Sequence, residues 1–281
     1  MPQGELLKRL RQDRFFQIGV LFVAIVVLAA LLAPWIAPHD PLTGDLKGAY
    51  LIEPGSRFLL GTDSQGRDVL SRVLYGARLS LSVGLVSQSV SVTIGVLLGL
   101  LAGYYGRWVD AVVMRLADIT LAFPTLLLLI AVAAAVQPSL FVVFVVIGIV
   151  GWAGMARLVR GQVLVLRRAE FVLAARALGA RDRRVILRHL LPNVRTQIII
   201  SATLGIAAAI MAEAALSFVG LGAQPPTPSW GAMVADGRDL LRVAPWISFA
   251  PGVAIGLAVL GFNLVGDGLR EAYDPKLRSE R

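Results

Sequence analysis

Six stretches of the chain are apolar for long enough to cross a lipid bilayer, and that decides what it can fold into. A spanning helix needs roughly 20 predominantly apolar residues. Segments at about 15–36, 79–103, 109–136, 140–158, 197–221 and 246–267 meet that requirement. In hydrocarbon, backbone polar groups must bond within the segment, so such stretches fold as helices. The expected fold is therefore all-α: a polytopic membrane protein with six transmembrane helices. Of the 281 residues, 57% are hydrophobic, above the roughly 45–50% of a soluble domain. The first apolar run, Phe15 to Ala33, exceeds the 7–15 residues of a signal-peptide core and reads as a retained anchor. Pro124 and Pro251 fall inside the third and sixth spans, where each is expected to kink its helix.

The charges of the connections give the expected orientation, because cytoplasmic loops carry an excess of Lys and Arg. Residues 1–14 have four basic and two acidic side chains, and 38–76 have four and five. The connection "QPS" is uncharged, 222–245 balances to zero, and the tail from Arg270 carries net +1. Between Arg157 and Arg195 there are ten arginines and two acids. Both termini and the basic segment are thus expected in the cytoplasm. The expected parts are an N-terminal segment and anchor, 1–37, and an extracytoplasmic loop, 38–76. A five-helix domain at 77–269, containing a cytoplasmic segment at 168–193, and a tail at 270–281 complete the chain.

No catalytic set is legible. There is no cysteine, and the two histidines, His39 and His189, are far apart, so neither a thiolate site nor a histidine metal cage is expected, and no cofactor. "GTDSQGRD" has the glycine gap of a phosphate loop at Gly61 and Gly66, but Arg67-Asp68 replaces Lys-Ser/Thr. It reads as an elbow into the second span, with ion pairs among Asp63, Arg67, Asp68 and Arg72. The arginines lie too close to the spans, with too few aromatics, for nucleic-acid binding.

The basic segment "EFVLAARALGARDRRVILRHLLPN" reads as two short helices. Gly179 stops the first in the left-handed conformation, Asp182 caps the second, and Pro192 ends it. Arginines on an amphipathic pair suit anionic lipid, and the apolar positions suit a protein partner; the residue types alone leave both open. Charges inside spans are the other candidates. Arg115 and Asp118, three apart, read as a structural pair or as gating residues. Glu213, alone within "AAAIMAEAALSF", reads as a structural hydrogen-bonding group or a translocation residue. Gly95, Gly99 and Gly103, and Gly252 with Gly256, form small-residue ridges for helix packing. Trp230 and Trp246 read as interface anchors.

"LAARALGA" followed by "LLP" resembles the cytoplasmic signature of permease subunits of ABC importers. Ala174, Ala175, Gly179, Leu191 and Pro192 stand at the signature's spacing, while Leu173 replaces its Glu and His189 its Ile. Three further blocks resemble the dipeptide, oligopeptide and nickel group of that family: "FLLGTDSQGRDVLSRVLYGARLSLSVGL", "DAVVMRLADITLAFPTLLLLIA" and "EAALSFVGLGAQPPTPSWG". The single anchor and short outer loop resemble the C-type partner of the heterodimeric pair. The resemblance implies a non-catalytic subunit that forms a pathway with a second permease. It implies a cytoplasmic coupling helix between spans four and five, docked on one of two ATPase subunits through Glu170, Leu173, Ala174, Ala175, Leu178, Gly179, Ala180, Leu191 and Pro192. Arg115, Asp118 and Glu213 are the candidate pathway or gating residues. An extracytoplasmic binding protein would deliver peptides or similar small solutes, possibly onto residues 223–246, and membrane lipid surrounds the whole. The competing reading is a homo-oligomeric secondary transporter, in which Glu213 or the Arg115/Asp118 pair would titrate.

Overall fold

The computed structural model describes residues 9–136 and 139–273. The expectations for Gln137, Pro138 and the ends of both termini lie outside the described residues. Among those described, the regular structure is helical throughout. Helix α1 is Arg14–Ile36, α2 Val69–Tyr105, α3 Arg107–Ala122, α4 Thr125–Ala134 and α5 Leu140–Leu166. Then come α6 Glu170–Ala177, α7 Asp182–Arg184, α8 Leu191–Phe218, α9 Trp230–Gly237 and α10 Trp246–Tyr273. Five helical runs are long and apolar enough to span a membrane, and the bent pair α3–α4 makes up to six.

The bend is where Pro124 lies, and it is a break. The two helices meet at 91°. Phe123 is extended, at φ −92° and ψ 141°, because the proline ring excludes the helical region for the residue before it. Pro251 does not break its helix. It sits within a turn and a half of the start of α10, and that helix continues through it.

Helix α2 begins earlier than hydropathy places the second span. It has 37 residues, about 55 Å at the standard rise, well beyond a hydrocarbon core of about 30 Å. Asp68 caps it by accepting the Ser71 N–H at 2.9 Å. Its first turns carry Arg72 and other buried polar groups, which lower local hydropathy without weakening the helix.

Two glycine sets divide. Gly95, Gly99 and Gly103 lie against α5, where a Cβ would come within 2.5–2.8 Å of Met155, Ala156 or Val163. That close approach makes α2 and α5 the central pair of the fold. Gly252 and Gly256 have no neighbour within 4 Å among the described residues, so that ridge packs against nothing there. Helix α1 lies on α10, with Gly19 against Leu264 and Gly261 against Phe22 and Val23.

Helix α8 carries a further correction. Pro192 does not end a helix. Residues Asp182 to Phe218 form one continuous run, with a π turn over Val185–Leu190. In that turn the Leu191 N–H donates to the Ile186 carbonyl, five residues back. The wider turn lets the ladder pass a proline that supplies no N–H.

Candidate functional site

The insert between α5 and α8 is a short helix on a fixed base. Val172 faces inward from α6 and packs with Val163 of α5, Val185, Ile186 and Leu190 of the π turn, and Tyr104 of α2. Three polar contacts tie the insert to the end of α2. The Tyr104 hydroxyl donates to Asp182 at 2.6 Å, and the Arg167 guanidinium donates to the Gly103 carbonyl at 3.0 Å. The Arg176 guanidinium lies 4.7 Å from the Tyr104 ring centre. Asp182 therefore accepts from a side chain of α2 and does not cap α7, which has no side-chain cap. None of these three contacts is legible in the sequence, because each joins positions far apart.

Gly179 closes α6 as expected, with φ at +80° and open space where a Cβ would stand. The Ala180 N–H donates to the Ala175 carbonyl at 3.0 Å and the Gly179 N–H to Arg176 at 2.9 Å. This pattern of bonds fixes the turn. Ala180 and Leu191 pack on the inner cluster. Glu170, Leu173, Ala174 and Pro192 are exposed, Ala175 is half-buried, and Leu178 is 89% exposed at the tip. With Phe171 also exposed, the outer side of α6 is an apolar surface carried on a buried valine.

The charges of the third span do not pair with each other. Asp118 accepts from Arg157 of α5 at 2.7 Å, and Asp110 from Arg160. Arg115 is exposed and makes no ion pair among the described residues. The i, i+3 spacing misleads because α3 buries Val113 and Ala117 against α5. Asp118 borders that contact, while Arg115 lies on the outer side. The Asp118–Arg157 pair is half-exposed on the surface of the chain.

Glu213 is 1% exposed and its partners are hydroxyls. Ser217, one turn on, donates at 2.6 Å, and Ser80 of α2 at 3.2 Å. Ser217 is also 3.3 Å from Ser229, which caps α9 by accepting the Ala232 N–H. The carboxylate thus joins α2, α8 and α9 from inside the protein.

At the opposite end of the bundle, the elbow contains the expected ion pairs and one unforeseen member. Asp63 accepts from the Arg67 Nε at 2.7 Å and lies 3.4 Å from the Arg72 Nε. Asp236 of α9 stands 3.9 Å from Nη2 of both arginines. Burial pushes the Asp236 carboxyl above the usual carboxylate range, against the pull of Arg72 and Arg67. Asp68 takes no close part with the arginines; its carboxylate bonds to Ser71 and lies 3.6 Å from His39. Trp230 is not an interface anchor. It is buried against Gly76, and its Nε1–H donates to the Val73 carbonyl at 3.0 Å. Trp246 likewise donates to Thr62 at 3.1 Å. The exposed tryptophans are Trp35 and Trp108, near opposite ends of the bundle.

A five- or six-span helical core with a protruding apolar helix on one end defines a polytopic membrane protein. Residues 95–279 match the family model described as the binding-protein-dependent transport system inner membrane component, and the chain belongs to that family. Residues 3–54 match the N-terminal transmembrane domain of oligopeptide transport permease C. The chain is 44% identical to a dipeptide transport system permease protein of Alkalihalophilus pseudofirmus, over 99% of this chain and 91% of the relative. It is 46% identical to a di/tripeptide transport system permease protein of Pseudomonas aeruginosa, over 93% and 88%. It is 42% identical to a glutathione transport system permease protein of Pectobacterium atrosepticum, over 99% and 92%. The importer permease expected from the four sequence blocks is the family found. The secondary-transporter reading gains nothing from these relatives.

Proposed function

We propose that this permease moves peptides or similar small solutes inward, along a pathway formed with a second permease subunit. Two ATPase subunits power it and an extracytoplasmic binding protein delivers the solute. The relatives, two named for peptides and one for glutathione, support that substrate class. The insert is the coupling element, and its end of the bundle, with both chain termini, is cytoplasmic. The observation that carries this reading is the exposed apolar side of α6. Phe171, Leu173 and Leu178 face away from the protein, while Val172 anchors the helix. Arginines beside an apolar side suit anionic lipid as well, and membership of the importer family favours a protein partner. A groove on a partner would bury it, and a rigid base lets motion of the partner reach α2, α5 and α8.

Of the three candidate pathway residues, Arg115 and Asp118 retain that role and Glu213 becomes a brace. Exposed charges on a spanning helix are expensive against lipid and belong beside water or a partner subunit. A carboxylate enclosed by three serines within one chain has no route to solute.

The coupling role is tested by Gly179→Asp, Ala175→Glu and Leu178→Asp. Leu178 contributes little to the core, so its variant inserts normally. All three variants are expected to reach the membrane, lose the ATPase on mild-detergent purification, and stop uptake. Normal uptake in the three would sink the assignment.

A further inference from the structure

A cavity of about 700 Å³ opens at the outer end, between the end of α1, the first residues of the elbow, α2 and the loop before α9. Prolines, Ala37 and Leu42 make most of its wall, and His39, Asp40, Tyr75 and Thr227 supply the polar groups. That size and that mixture are those of small-molecule sites. His39, Asp40 and Thr227 are exposed, so a solute can reach them. The wall has one acid, Asp40, and neither lysine nor arginine. Asp40 Oδ1 accepts the Leu42 N–H at 2.8 Å, and Oδ2 takes no hydrogen bond among the described residues. Arg78 is exposed, 6.0 Å from the Tyr75 ring centre, and stands outside the wall.

The charges behind the wall add to that sign. The ion cluster sets three acids, Asp63, Asp68 and Asp236, against two arginines, Arg67 and Arg72. Asp68 is the acid left over. It is 2% exposed and makes no ion pair with an arginine among the described residues. Its Oδ1 is buried without a hydrogen-bond partner, which is uncommon and costly for a carboxylate. His39 stands between Asp68 and the cavity. Its backbone N–H donates to Ser71 Oγ at 3.1 Å, and its Nδ1 lies 3.6 Å from Asp68 Oδ2. With a carboxylate on that side, the neutral imidazole keeps its hydrogen on Nδ1 and offers Nε2 as an acceptor.

We propose that this cavity seats the ammonium group of a small organic solute, with Asp40 and His39 Nε2 as its acceptors and Asp68 as the countercharge behind them. An ammonium carries several N–H donors on one nitrogen and can serve both acceptors at once. The prolines, Leu42 and Tyr75 cover the carbon body that a bare metal ion would lack. On the transport reading above, on which this last step rests, the solute is a peptide and the group is its N-terminus.

The test follows thermal melting of the full chain in detergent with dialanine amide and N-acetyldialanine amide, at constant ionic strength. Dialanine amide is expected to raise melting saturably. The acetylated compound, which has no ammonium, is expected to leave it unmoved at the same concentrations. Asp40→Asn keeps an acceptor for the Leu42 N–H on an exposed side chain, so melting without ligand stays as in wild type. His39→Phe keeps a ring against Phe58, now 4.9 Å away, and removes Nε2. Each variant should need roughly tenfold more dialanine amide for half the effect, the loss of one good polar contact. The seat is overturned if the acetylated compound acts as well as the amine, if both variants respond as wild type does, or if the amine moves nothing. Uptake by the assembled transporter separates the two readings. Peptide uptake without amine binding removes the seat and keeps the transport reading. Amine binding without peptide uptake keeps the seat and removes the peptide.

Discussion

The buried ionisable residues differ in what their loss exposes. Asp63 is the close acid for two buried guanidinium groups. Asp63→Asn strands both, and breaking a buried pair this way costs about 3–5 kcal/mol; a large drop in melting temperature is the expected readout. Asp236 has the opposite sign. Its carboxyl is raised in the folded protein, so the folded state holds its proton to higher pH than the unfolded state. Stability from this group therefore falls as pH rises from the ordinary carboxylate range through the folded value. Asp236→Asn removes that dependence, and melting against pH becomes flatter across the window. For Glu213, Glu213→Gln keeps an acceptor for Ser80 and Ser217, whereas Glu213→Leu leaves buried hydroxyls without one. The leucine variant is expected to lose about 1–3 kcal/mol and the glutamine variant less, measured by thermal unfolding in detergent. If the glutamine variant unfolds as easily as the leucine variant, the brace assignment fails. That Glu213 needs a partner is legible in the sequence, since an acid among alanines is otherwise unaffordable in a span. That the partners are serines is not, because Ser80 lies 133 positions away.

At the scale of elements, hydropathy marks what crosses lipid and not where a helix ends. Thus α2 starts ten residues before the apolar run at 79–103, and the π turn carries α8 past Pro192. Spacing is a sound guide where one helix supplies the whole pattern, as in the turn at Gly179 and in the glycine ridge of α2, although the partner of that ridge, α5, is set by the fold. It failed at Arg115 and Asp118, whose partners depend on which side of α3 meets α5. The α2–α5 contact gives the sharpest element-level prediction. A Cβ on Gly99 would stand 2.6 Å from the Ala156 carbonyl oxygen, and backbone cannot swing aside as a side chain can. Gly99→Leu should therefore separate the two helices, lowering melting and the yield of folded protein. Gly252→Leu and Gly256→Leu, where nothing lies within 4 Å, should leave the isolated chain's melting unchanged. If that pair still abolishes uptake, the open glycine face is covered in the assembled transporter.

The whole molecule is polarised. By the alternation of its spans, the ends of α2, α5 and α10 lie together with the starts of α1, α3 and α8. That end carries the insert and the arginines from Arg157 to Arg195. The elbow, α9 and the Asp63–Arg67–Arg72 cluster lie at the other end, where acids and bases nearly balance. Membrane insertion favours retention of Lys and Arg in the cytoplasm, so the insert should face inward. Because the chain has no cysteine, the placement can be read with single substitutions in an otherwise unaltered protein. Leu178→Cys stands at the exposed tip of the insert, and Glu53→Cys on the exposed surface of the elbow. In intact cells stripped of any outer permeability barrier, a membrane-impermeant maleimide should label Cys at 53 and spare Cys at 178. Opening the membrane should then label 178. Labelling of 178 from outside would reverse the orientation and remove the coupling assignment, because no ATP-fuelled partner could meet α6 on that side.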